Sequence, residues 1–219
     1  MGVLERYSPG SEEAQGMIAR SKQEALELMN DVFEHWEPKH QAWIINKSYI
    51  ISSGAAALPG LILSIKFRKL LGLRKMTKIQ MATLPAATVL PGIMAGVGHK
   101  ILITDDILIQ ETECPVCVDV RSSVIQFTAG FIFPLFFSYT GAAIAATANN
   151  ARIAPNNLKG WIPVTKVIFG RIPIYLGGLA LIQLITSGVL VREEYNSRDL
   201  VLAELESRFI ADQRRKQIQ

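Results

Sequence analysis

The stretch from Ser122 to Ala148, SSVIQFTAGFIFPLFFSYTGAAIAATA, decides the fold class of this chain. It contains no charged residue and is dominated by alanine and phenylalanine. About 20 predominantly apolar residues are enough for a helix to cross the roughly 30 Å hydrocarbon core of a bilayer. Because this stretch exceeds that length, it predicts a transmembrane helix over 122–148.

Three further apolar stretches predict transmembrane helices of similar length. Their bounds are 43–65, 79–98 and 167–191, and the last has an uncharged core that begins at Ile172. Charged residues are only 19% of the chain and the mean hydropathy is +0.25, whereas soluble domains contain roughly 25% charged residues. The charges gather between the apolar stretches, as exclusion from the bilayer requires. The predicted fold class is therefore an all-α membrane protein with a four-transmembrane-helix bundle over 43–191.

The two ends of the chain are polar and predict amphipathic helices outside the bundle. In segment 1–42 apolar residues recur at helical spacing between Ser11 and Glu37, and segment 192–219 carries a similar stripe among charged residues. Each helix is expected to lie on the bundle or at the lipid interface, or to dock a partner protein. Acidic residues near the start of the chain argue against a cleavable presequence, so internal targeting signals are expected.

Small residues repeat every four positions in three of the spans. Such spacing lets helix backbones approach closely in lipid, and prolines within the spans are expected to kink the helices. The interpretation is packing within the bundle, and the alternative is a substrate cavity lined by the kinks. The predicted packing residues are Ser52, Ala56, Gly60, Gly92, Gly96, Gly141 and Ala145.

The charges of the connecting segments differ in sign. Loops 66–78 and 149–171 carry basic residues and no acidic residue, whereas the central loop 99–121 is mainly acidic. The positive-inside rule therefore predicts that the two basic loops face the cytoplasm or a matrix-like compartment, with the termini and the central loop on the opposite side. Since the basic residues cap apolar spans and form no stripe with aromatic residues, nucleic acid is not a predicted partner.

One motif has chemical potential, the pair of cysteines in Cys114-Pro-Val-Cys117. A structural disulfide that closes the central loop is the main interpretation, and two free thiols, redox catalysis or a metal site are the alternatives. The nearby Glu111 and Glu113 are expected to raise the thiol pKa, and zinc needs two further ligands, of which His99 is the nearest histidine. The sequence therefore predicts no catalytic, cofactor-binding or metal-binding residue.

Charged residues are nearly absent from the predicted spans, and His99 is expected at the membrane interface. Charged residues inside spans mark ion and proton pathways. An ion pump or a proton-coupled transporter is therefore disfavoured, whereas a facilitator for an apolar or lipid-like solute stays open.

Three segments resemble the transmembrane protein 126 family in their order and spacing. These are ECPVCVDVRSS at 113–123 followed by Phe133-Pro134, LSIKFRKLL at 63–71, and ATLP at 82–85. The resemblance covers about 45–148 and continues more weakly through the fourth span, while the two ends of the chain show none. The cysteine pair is closer to the A-type paralogue of the family.

The resemblance implies a non-enzymatic assembly factor for respiratory complex I, without cofactors, in the lipid bilayer of the inner mitochondrial membrane. Its partners would be complex I membrane-arm subunits and other complex I assembly factors. The basic loops would then lie in the matrix, and the termini and the Cys114–Cys117 loop in the intermembrane space. Two alternatives come from other classes: a small carrier for an apolar or lipid-like solute, and a redox-active thiol protein that depends on both cysteines.

Overall fold

The structure, a computed structural model, describes residues 12–73, 78–110, 112, 114–148 and 158–218. Within these ranges the chain forms α-helices joined by short turns, with two π-helical turns and no strand. The helices are α1 (Glu12–His35), α2 (Lys39–Leu70), α3 (Lys78–His99), α4 (Asp105–Ile109), α5 (Pro115–Phe127), α6 (Phe133–Ala148), α7 (Leu158–Arg171) and α8 (Pro173–Ile218).

Four helical segments are long and apolar enough to cross a membrane, which confirms the predicted fold class. They are Lys39–Leu70, Met81–Ile109, Pro115–Ala148 and Pro173–Gln217. The second and third are each continuous helices, because the π-helical turns Lys100–Thr104 and Thr128–Ile132 join α3 to α4 and α5 to α6. Helix α2 is central and packs against α3, α6 and α8.

The acidic segment 99–121 is not the loop that the sequence predicted. The second span continues through α4 to Ile109, and the third begins at Pro115, which leaves only a short turn. Gln110 ends α4 in the left-handed conformation with φ of 52°. The helices extend beyond the predicted bounds because charged residues pair across this turn, as Arg121 does with Asp106 at 2.7 Å.

The terminal helices pack on each other at one end of the bundle. Segment 192–219 is no separate helix, since α8 continues from the membrane span to Ile218. The apolar stripe of α1 places Phe33 and Trp36 in a core with Leu108 of α4 and Val201 of α8. We call α1, the start of α2 up to Asn46, α4 and α8 from Arg192 the terminal head. The expected partner-docking or lipid-facing stripe of α1 is therefore largely used within the chain.

The opposite end of the bundle carries the basic segments. Residues 158–171 of the predicted third loop form α7, and residues 74–77 and 149–157 lie outside the described residues. Ile168 of α7 packs with Leu63 and Phe67 of α2 and with Leu179 of α8. Helix α7 is therefore fixed to the basic end of the bundle next to the third and fourth spans.

Candidate functional site

Glycines bring α2 and α3 into backbone contact. A Cβ atom built on Gly60 would lie 1.7 Å from the carbonyl oxygen of Ala87. On Gly92 it would lie 3.0 Å from the carbonyl oxygen of Ser53, and on Gly96 it would lie 2.0 Å from the Ser53 hydroxyl. These three predicted packing residues therefore lie along one crossing of two membrane helices. A Cβ atom at Gly60 or Gly96 would clash with α2 or α3, and one at Gly92 would fit only if the neighbouring helix shifted slightly.

The other four predicted packing residues lie at further helix contacts. Ser52, Ala56 and Ala145 are each fully buried. A Cβ atom on Gly141 of α6 would come within 2.7 Å of the Thr83 hydroxyl of α3. Gly60, Gly92, Gly96 and Gly141 thus lie at contacts among α2, α3 and α6, whereas Ser52 meets Gln126 of α5. Gly141 also lines a small pocket between these helices.

A chain of side-chain hydrogen bonds connects α2, α5 and α8 inside the bundle. The Ser52 hydroxyl donates to Oε1 of Gln126 at 2.8 Å, and Nε2 of Gln126 donates to Oε1 of Gln183 at 2.8 Å. Nε2 of Gln183 in turn donates to the carbonyl oxygen of Ala55 at 3.0 Å. Because buried amides are costly unless they are hydrogen bonded, this chain fixes the three helices in one register.

The π-helical turn in the third span makes room for this chain. Gly130 lies within that turn, and a Cβ atom there would approach Oε1 of Gln183 to 2.3 Å. π-helical turns occur as single-turn insertions in α-helices and are frequent at functional sites. Here the turn and its glycine let a buried amide of α8 reach the third span.

A second buried polar cluster joins α3 to α8. Nε2 of His99 lies 3.3 Å from Oε1 of Glu194, and the Thr104 hydroxyl donates to the same oxygen at 2.8 Å. Ser48 of α2 lies 3.5 Å from Thr104 through their hydroxyl oxygens. His99 immediately precedes the other π-helical turn and Thr104 is its last residue. Both described π-helical turns therefore lie beside buried polar side chains.

The Glu194 carboxylate is the least expected group in the bundle. It is 0% exposed and His99 is 2% exposed, and Oε2 of Glu194 has no hydrogen-bond partner among the described residues. The expectation of an interfacial His99 did not include this contact. Both residues lie just beyond the uncharged stretches that end at Gly98 and Val191, yet their side chains are buried between helices. Ionisable residues buried in a membrane bundle are conspicuous candidates for function because their burial is costly.

The sequence does contain a signal for this cluster. Gln183, Ser187, Leu190 and Glu194 follow one another at spacings of three or four residues, and all are buried. That spacing places them on one face of α8. A polar stripe that continues from the apolar span into the charged segment is thus a sign that the segment remains part of the bundle.

The turn between the second and third spans is held by Asp106. Its carboxylate accepts hydrogen bonds from the backbone N–H of Thr112 at 2.8 Å and from the Thr112 hydroxyl at 2.7 Å. Nη1 of Arg121 donates to it at 2.7 Å. Ionised partners make hydrogen bonds roughly twice as strong as neutral ones, so this arrangement fixes the start of α5.

The cysteine pair lies at the N-terminus of α5. Both cysteines are exposed, and no disulfide joins them in this structure. The Cys117 N–H donates a hydrogen bond to the carbonyl oxygen of Cys114 at 3.0 Å. Hydrogen bonds from the thiol and the backbone N–H of Cys117 lower the pKa of Cys114. The expected increase of the thiol pKa is therefore wrong for Cys114, and the disulfide stays a prediction. Within the described ranges, no three His, Cys, Asp or Glu side chains gather into a metal-ligand group.

An open groove of about 750 Å³ lies between α6 and α7 at the basic end of the bundle. The Tyr139 and Thr165 hydroxyls hydrogen bond to each other and connect the two helices. The other lining side chains are mainly apolar, and Lys166 is the one charged residue among them. The lining residues are Tyr139, Thr140, Ala143, Ile144, Trp161, Ile162, Thr165 and Lys166.

Comparison with known proteins gives one family. The sequence model of the Transmembrane protein 126 family matches residues 23–206. A protein of Drosophila melanogaster named "Transmembrane protein 126" is 24% identical over 194 residues, which cover 85% of this chain and 86% of that protein. No solved structure matches. The family match extends beyond 45–148 into α1 and the charged end of α8, which the sequence resemblance did not include. This chain belongs to the Transmembrane protein 126 family.

Proposed function

We propose that this chain is a non-enzymatic assembly factor for mitochondrial respiratory complex I. It binds membrane-arm subunits or assembly intermediates in the inner membrane, together with other complex I assembly factors. Membership of the family supports this proposal, because the resemblance through 63–71, 82–85 and 113–123 implies that role. The mechanism is mass action, in which a client covers the exposed faces of the spans until the next module displaces it.

The observation that carries the proposal is the division between the inside and the outside of the bundle. Inside, Gln126 of α5 and Gln183 of α8 hydrogen bond to each other, so both amides are used between helices. Outside, large apolar side chains such as Ile174, Ile182 and Ile185 of α8 are exposed. A surface of this kind fits lipid or an unassembled membrane helix, which packs by shape and small-residue contacts.

The charge distribution supports one orientation in the membrane. The chain contains 19 acidic residues, and all of them lie before residue 38, between 105 and 119, or after 192. The described residues of these regions lie at the end of the bundle that carries the terminal head. The proposal therefore puts segments 66–78 and 149–171 in the matrix, and the termini and the Cys114–Cys117 turn in the intermembrane space. A tag at either terminus should be digested once the outer membrane is opened, and protection at that stage would reverse the orientation.

The assembly role is tested in cells that lack the protein and are rescued with the tagged chain. Affinity purification in mild detergent should recover complex I membrane-arm subunits and assembly factors, in complexes smaller than the finished enzyme. Loss of the protein should leave membrane-arm intermediates stalled. Normal assembly of complex I without the protein would defeat the proposal.

A matched variant separates the assembly role from thiol chemistry. Replacement of Cys114 and Cys117 by serine removes both thiols at an exposed turn. If the pair is structural, the variant rescues assembly in proportion to its reduced abundance. If the protein acts by redox chemistry, the variant is abundant but does not rescue.

The groove between α6 and α7 favours a second candidate, a carrier or facilitator for an apolar or lipid-like solute. Its lining is apolar, and it opens on the outside of the bundle. Flux of such a solute in proteoliposomes that contain the purified chain would support the carrier. Recovery of the chain alone from mitochondria would give the same indication.

A further inference from the structure

We propose that the groove between α6 and α7 binds one acyl chain of an acidic membrane phospholipid, with Lys166 holding the phosphate at its rim. The cavity volume of about 750 Å³ is within the range of about 300–1,000 Å³ that is typical of ligand pockets. Ala143 and Ile144 of α6 and Ile162 of α7 supply the apolar walls. Such walls accommodate a hydrocarbon chain and offer little to a polar solute.

The proposal places the groove at the depth where headgroups meet hydrocarbon, because of its position along the third candidate span and its residue types. Its α6 wall, from Tyr139 to Ile144, is just before the end of the third span at Ala148. Its other wall includes Trp161, and Trp and Tyr are enriched at this level of membrane proteins. A lysine at the same level keeps its aliphatic stem in the apolar region while the ammonium reaches the headgroups. Lys166 is exposed and meets this condition.

The charge of this end of the bundle selects an acidic lipid. No Asp or Glu occurs between Glu37 and Asp105, or between Asp119 and Glu193. The charged residues of the described segments on the α7 side are therefore basic, and among these segments no carboxylate neutralises Lys166. Basic pockets at helix contacts on the positive side of a membrane protein bind acidic headgroups. A zwitterionic lipid also carries a phosphate, but its own ammonium group offsets that charge, so it should gain less from this cation than an acidic lipid does.

Quenching of Trp161 fluorescence tests the proposal directly. The full chain is reconstituted into phosphatidylcholine vesicles that contain a low fraction of phosphatidylglycerol with brominated acyl chains. A parallel sample contains brominated phosphatidylcholine at the same fraction. The contribution of Trp161 is the difference from the Trp161→Phe variant. We expect at least threefold stronger quenching by the acidic lipid.

Three variants show whether the groove is responsible. Lys166→Gln should make the two brominated lipids equivalent, and Ala143→Leu, which fills the groove, should remove the excess quenching. Lys69→Gln is the matched control, because it deletes an exposed cation on the same side outside the groove. It should leave the excess intact. If Ala143→Leu does not fold, Ile144→Phe obstructs the same wall from a position that is 53% exposed, without adding a tryptophan to the fluorescence signal.

Several results would overturn the proposal. Equal quenching by the two lipids would mean that the groove does not select charge. Equal loss in Lys69→Gln and Lys166→Gln would assign the effect to the general surface potential. Shielding of Trp161 from both lipids would mean that protein, such as a second copy of the chain, covers the groove.

Discussion

The contact at Gly60 makes the close packing of the bundle testable by one substitution. In Gly60→Ala, the new Cβ atom would lie 1.7 Å from the Ala87 carbonyl oxygen, whereas real Cβ contacts are essentially never under 3.0 Å. The obstacle is backbone, so no side-chain rotation relieves it. Helices α2 and α3 must therefore separate at this crossing.

The cost follows from these contacts. Overpacking a close-packed interior typically costs about 1–3 kcal/mol and occasionally more, and a backbone clash is at the upper end. About 3 kcal/mol corresponds to a decrease in Tm of roughly 6–12 °C for a chain of this size. Gly54 in the same helix is the control, because a Cβ atom there meets nothing within 4 Å. Gly54→Ala should be neutral or stabilising by up to about 1 kcal/mol.

The assay is thermal unfolding of both variants in the same detergent, followed by loss of helical circular dichroism and of the monodisperse size-exclusion peak. Gly60→Ala should unfold well below the wild type, and Gly54→Ala at or above it. Equal Tm values for the two alanine variants would show that α2 and α3 do not cross backbone to backbone at Gly60. In that case the argument from small-residue spacing fails as well.

Three further predictions concern the polar groups. Glu194→Ala should lower the free energy of unfolding by about 1–3 kcal/mol, because it leaves the buried Thr104 hydroxyl without its acceptor. Glu194→Gln keeps an acceptor oxygen and should cost less. Equal losses of stability in the two variants would contradict the hydrogen-bonded cluster. Gly130→Ala should displace the Gln183 amide and destabilise the bundle. Adding Gln183→Ala to this variant should partly restore its stability. If the stability losses of the two single variants simply add in the double variant, the contact between these residues is refuted. Because the Cys114 pKa is lowered, alkylation of Cys114 by iodoacetamide should become rapid at a lower pH than alkylation of a free cysteine. Cys117→Ala should raise the pH at which Cys114 reacts rapidly. In a separate measurement, equal free-thiol counts before and after reduction would exclude the disulfide.

The four spans could be predicted from the sequence because exclusion of charge from the bilayer acts on each segment separately. The stretch 122–148 needs no partner to be recognised, since its length and lack of charge suffice. Small-residue spacing is similarly local, and Gly60, Gly92 and Gly96 indeed lie at one helix crossing. Both signals can be recognised within a single segment of the sequence, without knowing which other segment it contacts.

The ends of the spans were predicted less well because charge was counted without regard to partners. Asp106 and Arg121 are charged, yet they pair with each other across a turn. Glu194 is charged, yet it is buried beside His99, 95 positions earlier in the chain. A hydropathy profile ends a span at the first charged residue, whereas the helix continues wherever a residue from another segment satisfies that charge.

The continuity of α8 has a consequence for how the two ends of the bundle are connected. The helix has 46 residues, and at about 1.5 Å per residue it is long enough to cross roughly 30 Å of hydrocarbon and extend a similar distance beyond. Gln183, Ser187 and Glu194 hold its inner face to the second and third spans, and Val201 holds it to α1 in the terminal head. No flexible loop separates the head from this span. If the proposed assembly role holds, a partner on the terminal head acts on the same continuous helix that a client contacts in the membrane, so the two binding events are coupled without a separate hinge.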